Sequence, residues 1–130
     1  MTHEQFITPE IARLANQAGF DWECRYYTSI DGDIIDTANM PMDEFDLTKL
    51  YKCPTQSVLQ RWLREVKNCL VMVEPFVHNL DKDNIYYSYN WATYVNGERN
   101  SGSDYDNTRI YEAAFDNGLR RCLTLLIEKQ

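Results

Sequence analysis

The chain has 130 residues, 44% of them hydrophobic and 25% charged, enough for one domain with a real core and too apolar to stay unfolded. Its net charge of −7, from 20 acids against 13 bases, argues against a protein whose main work is neutralising phosphates, since that affinity comes from Lys and Arg. No apolar run approaches the ~18 residues of a membrane helix, and no amino-terminal stretch carries the parts of a signal peptide.

Taken in order, Thr8-Pro9-Glu10 starts a helix: a capping hydroxyl, a proline in the first turn and an acid near the positive end of the helix dipole. Ile11, Leu14, Ala15 and Ala18 form its narrow apolar stripe and Gly19 ends it. Residues 1–7 read as a disordered tail. From Phe20 the period changes to two, with Phe20, Trp22, Cys24, Tyr26, Thr28 and Ile30 on the inward face of a half-buried strand. Asp31-Gly32 then marks a tight turn with positive φ at both central residues, leading to Ile34-Ile35. Thr37 to Lys52 has no steady period and reads as an acid-rich loop with one helical turn around Asp43 to Leu50.

Pro54, in the first turn, and the hydroxyls of Thr55 and Ser57 open a second helix. Val58, Leu59, Trp62, Leu63 and Val66 share its core face, while Gln60, Arg61, Arg64 and Lys67 point to solvent. Asn68 tolerates the left-handed conformation that ends helices, and Leu70 to Val77 follows as a buried strand. After the polar stretch His78 to Asn84, the strand Ile85 to Val95 places Ile85, Tyr87, Tyr89 and Trp91 on its buried face and leaves Tyr86 partly exposed. Asn96-Gly97 is a turn, and residues 96–107 read as the least structured internal stretch. Thr108 caps a last helix whose stripe is Tyr111, Ala114, Phe115, Leu119, Cys122, Leu123, Leu126 and Ile127.

The expected fold is therefore α+β: a single domain over residues 1–130 in the order α-ββ-α-ββ-α, with a mainly antiparallel four-stranded sheet and helices on one face.

Three pieces carry a resemblance: Pro-Thr-Gln-Ser-Val-Leu-Gln-Arg-Trp-Leu-Arg-Glu-Val at 54–66, Tyr87-Ser88-Tyr89, and Tyr111-Glu112-Ala113-Ala114-Phe115 with Gly118-Leu119. Together they resemble a set of uncharacterised small proteins of bacterial prophages and mobile elements, which pair a Pro-Thr-Gln-Ser-Leu-Leu-Gln-x-Trp-Leu-Arg-Glu helix with a Tyr-Glu-x-Ala-x-x-x-Gly-Leu helix. The resemblance implies a cytoplasmic accessory protein and no particular activity. Cys53 departs from the pattern, where a small residue such as Ala is expected.

No constellation specifies a reaction. Cys53 sits at a helix amino terminus, where a thiolate is stabilised, but the histidines are only His3 and His78, so no catalytic residue is assigned. The four cysteines, Cys24, Cys53, Cys69 and Cys122, show no metal-finger spacing. Asp31/Asp33, Asp81/Asp83 and Asp104/Asp106 read as solvated turns without the spaced ligands of a calcium loop. No metal and no cofactor are expected, and free thiols in a reducing cytoplasm follow.

Asp21 to Asp46 holds eight acids against Arg25, and Lys49 to Lys67 five bases against Glu65, so Arg61, Arg64 and Lys67 are candidates for an anionic partner. The aromatics Tyr86, Tyr94 and Tyr105 are candidates for a protein interface, because tyrosine buries area while keeping a polar handle. The expected function is a non-enzymatic protein-interaction module without a membrane partner. A nucleic-acid-binding accessory protein is the alternative, ahead of a small hydrolase.

Overall fold

The computed structural model describes residues 5–38, 49–78 and 81–130. Among the described residues three helices and six strands follow one another as α1 (Pro9–Gln17), β1 (Tyr26–Ser29), β2 (Ile34–Asp36), β3 (Leu50–Lys52), α2 (Gln56–Val66), β4 (Cys69–His78), β5 (Asp81–Val95), β6 (Glu98–Thr108) and α3 (Tyr111–Glu128). The α+β class stands. The single four-stranded sheet does not: two antiparallel three-stranded sheets form, in the orders β2-β1-β3 and β4-β5-β6.

The two missed strands have a common cause. β3 is three residues long and β6 has no apolar alternation, so neither shows the period that marks a half-buried strand. Both are edge strands, held by backbone pairing to a neighbour more than by their own side chains. Residues 96–107, expected to be irregular, are largely β6, which pairs from Val95↔Glu98 to Tyr87↔Thr108 with a register shift between Tyr87 and Tyr89. The turn between β5 and β6 needs positive φ at both central residues, and Asn96 and Gly97 supply 54° and 79°. The β1–β2 turn differs from expectation. Only Gly32 is left-handed, at 96°, and the Ser29 N–H donates to the Asp33 carbonyl, so three residues make the loop and Ile30 is carried out to 74% exposure.

α1 forms as its signals indicate, the Thr8 hydroxyl accepting from the Ile11 N–H and Gly19 following at φ 100°. In α2 the cap is Thr55, which accepts from the Val58 N–H. Pro54 therefore lies just before the cap instead of in the first turn, and its carbonyl accepts from Ile7. That bond, the Gln56 N–H donating to Gln5 and the bridge between Phe6 and Thr55 hold residues 5–7 where a frayed tail was expected. Ile7 is buried there. Asn68 ends α2 at φ 55°.

Leu59, Trp62 and Leu63 bury the inner face of α2, while Val66, expected in that stripe, is exposed. Alongside them, Ile11, Ala12 and Ala15 of α1, Leu119, Cys122 and Leu123 of α3, and Cys69 and Val71 of β4 complete one core. α3 lies on the β4-β5-β6 sheet, whose odd-numbered β4 and β5 residues face it. Gly118 comes so close that an added Cβ would lie 2.6 Å from Val71 Cγ1. Thr108 does not cap the helix from the N-cap position; its hydroxyl accepts from Ile110, which precedes the first turn.

Candidate functional site

Because α3 covers one face of the β4-β5-β6 sheet, the even-numbered residues of β4 and β5 stand on the other. Leu70, Met72, Asn90, Ala92, Ser101 and Ser103 border a shallow depression of about 260 Å³ there. Leu70 is 39%, Met72 48% and Tyr94 54% exposed. The Arg99 guanidinium lies 5.8 Å from the Tyr94 ring centroid, and the Ser103 hydroxyl donates to Asn90 Oδ1. The floor is thus fixed by a paired sheet and small polar groups, with long apolar side chains rising at its sides.

Two of the three candidate tyrosines fall on this face. Tyr94 is at its β5–β6 end, paired in register with Arg99. Tyr86 is at the other end, half-buried against Phe76 with centroids 6.0 Å apart. Tyr105 is on β6, and its side chain lies outside the described ones. On the covered face Tyr89 is buried, as expected, and Tyr87, expected to be buried with it, is half-buried. Ile85 is 54% exposed, because β5 begins at Asp81 and Ile85 lies in the part of the hairpin reaching past the helices.

Arg61 and Arg64 are exposed on α2, and Lys67 is half-buried at its C-cap. Arg61 bonds Glu65 at 3.2 Å one turn on and lies 5.4 Å from the Trp22 ring. Lys67 Nζ lies 5.6 Å from the Trp62 ring. Two of the three cations therefore lie over indoles of the domain, and both arginines are exposed.

The thiols are poorly suited to nucleophilic work. Burial pushes Cys53 and Cys69 up to about 11 and Cys122 up to about 12, so they are thiols at neutral pH, not thiolates. Cys53 is buried, and its Sγ donates to the Ile7 carbonyl. The side chains of His3 and His78 lie outside the described residues. Asp31, Asp33 and Asp83 are exposed, Asp104 accepts from the Tyr89 hydroxyl, and the side chains of Asp81 and Asp106 are not among those described. Among the described residues no group of three His, Cys, Asp or Glu side chains is placed to hold a metal ion.

One polar cluster was not read from the sequence. Gln56 is buried, and its Nε2 donates to the Glu112 carbonyl at 2.9 Å and to Asp116 Oδ1 at 2.8 Å, tying the start of α2 to α3. The signal was available in part, since Asp116 lies on the helix flank of the apolar stripe, but its partner is 60 residues away. Burial raises the Asp116 carboxyl above its ordinary value, against the opposing pull of the Gln56 bond. A raised carboxyl favours the protonated folded state, so ionisation costs stability above the folded value and the cost fades as pH falls below it. Asp116→Asn keeps an acceptor for Gln56 and removes the charge. Its melting temperature should therefore exceed that of the natural chain at pH 7, with the difference shrinking toward acid pH; an equal melting temperature at pH 7 refutes this cost.

Among the described residues no helix is long and apolar enough to cross a membrane. No protein-family model, no curated protein and no solved structure matches the chain.

Proposed function

We propose that the chain is a non-enzymatic interaction module that binds another protein through the open face of the β4-β5-β6 sheet, as a cytoplasmic accessory protein of a phage-like element. The observation that supports this most directly is the contrast between the two faces. One is sealed by α3 against Val71 and Tyr89, and the other presents Leu70, Met72 and Tyr94 to solvent around a shallow depression. Contiguous exposed apolar side chains framed by polar ones favour protein association. Buried thiols and scattered acids speak for binding over catalysis.

Tyr94→Ala tests the reading. It removes an exposed ring, so stability should change by less than ~0.5 kcal/mol, while capture of the partner from host lysate should fall at least tenfold, in line with the ~2 kcal/mol of an interface anchor. A photoreactive side chain at position 94 should cross-link the captured protein and one at position 64 should not. Equal capture by Tyr94→Ala, with no cross-link from position 94, refutes it. Captured material that disappears with nuclease or with rising salt would instead assign binding to nucleic acid and to the Arg61, Arg64 and Lys67 surface.

A further inference from the structure

The two borders of the β4-β5-β6 sheet are finished differently. The Tyr94 N–H donates to the Asn68 carbonyl at 3.0 Å, which sets the alternation of the β4–β5 ladder: even-numbered β4 residues bond to β5 and odd-numbered ones turn their backbone groups outward. Val71 is one of these, and its outward carbonyl accepts from Gln60 Nε2 at 2.7 Å. α2 thus protects the β4 border. In β5 the even-numbered residues serve β4, so the odd-numbered ones serve β6, opposite Glu98, Asn100, Gly102 and Asp104. Arg99, Ser101 and Ser103 must then point their N–H and C=O groups away from the sheet. Among the described residues β6 has one strand neighbour, Arg99, Ser101 and Ser103 are exposed, and the strand carries no proline, its charged residues being Glu98, Arg99, Asp104 and Asp106.

We propose that this edge takes up an extended segment of a partner protein as a fourth strand, and that the segment alternates apolar and acidic residues; the proposal rests on the reading that the open face binds protein. Side chains of an added strand alternate between the two faces. On the open face they pass over the small Ser101 and Ser103 toward the depression beside Leu70 and Met72, which suits apolar groups. On the other face lies a groove of about 310 Å³ bordered by Tyr89, Asn117, Arg120, Arg121 and Thr124. Beside it the Trp91 ring covers Gly102, where a Cβ would come within 2.9 Å of the ring. The Arg121 guanidinium lies 5.5 Å from that ring's centroid. Arg120 is held by Glu10 at 2.9 Å, which leaves Arg121 as the cation that draws an incoming carboxylate, while the Asp104 carboxylate, bonded to the Tyr89 hydroxyl, keeps that incoming group toward the α3 side.

The probe is a labelled ten-residue peptide of alternating valine and glutamate, titrated with the full chain by fluorescence anisotropy. Saturable binding is expected, at least tenfold weaker with Ser101→Pro. Proline there removes only an outward N–H, so circular dichroism should match the natural chain. Arg121→Glu provides a second route: it should weaken the glutamate peptide and favour an alternating valine–lysine peptide. Absence of binding by the natural chain, or equal binding by folded Ser101→Pro, overturns the proposal. A dimer that Ser101→Pro converts to monomer in sedimentation also overturns it, by giving the edge to a second copy. Cross-links from position 94 to the captured protein that persist in Ser101→Pro would sink the edge alone and leave the face reading standing, whereas loss of those cross-links from the natural chain itself sinks the face reading.

Discussion

Trp62→Ala should lower the unfolding free energy by ~3–5 kcal/mol, and Trp62→Phe by much less. The indole is fully buried in α2 and meets Phe20 edge-on at a centroid distance of 5.3 Å. Truncation to Ala leaves a cavity where the three helices meet, and the surrounding side chains cannot close it without losing their own contacts. The indole Nε1, however, has no hydrogen-bond partner among the described residues. A buried donor left unpaired costs ~1–3 kcal/mol, a cost that Phe does not carry, so its smaller volume is partly offset. Urea unfolding with an unchanged slope measures both. A loss for Trp62→Phe as large as that for Trp62→Ala would show that the N–H is satisfied and that its bond, not ring volume, decides.

Those features of the fold that rest on local chemistry were legible. Thr8 as a cap, Thr55 as a hydroxyl serving the start of α2, Gly19 and Asn68 as helix ends and Asn96-Gly97 as a turn each depend on two to four neighbouring residues. The amphipathic stripes of α1, α2 and α3 were legible for the same reason, because a helix brings i, i+3 and i+4 together whatever lies elsewhere. Edge strands are a different case. β3 and β6 exist because a paired neighbour supplies bonds to their backbone, and backbone bonding leaves no mark on side-chain pattern. The division into two sheets depends on both, so it was out of reach once these strands were missed. Ile30 and Ile85 fail likewise: alternation assigned each an inward face, but the strand had ended or had run past the helices that would cover it.

The candidate site was legible only as single residues. Tyr86 and Tyr94 were picked for chemistry and parity, and they do share a face. What makes that face a surface is β6, whose Ser101 and Ser103 floor the depression, and β6 had been read as irregular. Arg61 and Lys67 carry contacts that charge counting does not show: each lies over an indole, and the Trp22–Arg61 pairing joins residues too distant in sequence for any local pattern to connect.

Gly118→Ala should destabilise the chain by ~1–3 kcal/mol, although the position is inside α3, where alanine is favoured over glycine by ~0.8–1.0 kcal/mol. Helix propensity and packing oppose each other here, and the distances decide. The added Cβ would lie 2.6 Å from Val71 Cγ1 and 3.3 Å from Tyr89 Cβ. Val71 is fully buried on β4 and β-branched, so its methyl cannot turn aside without adopting a poor rotamer or pushing the sheet from the helix. Tyr89 is held by its hydroxyl bond to Asp104. The clash has one dominant partner, which makes it separable: in Val71→Ala the space for the new methyl already exists. The double variant should therefore be more stable than the sum of the two single losses implies, by ~1 kcal/mol or more. Denaturant unfolding of all four proteins measures that coupling. Strict additivity would mean that α3 yields to the methyl elsewhere along its length, and that the close approach of helix to sheet at Gly118 is not what sets their separation.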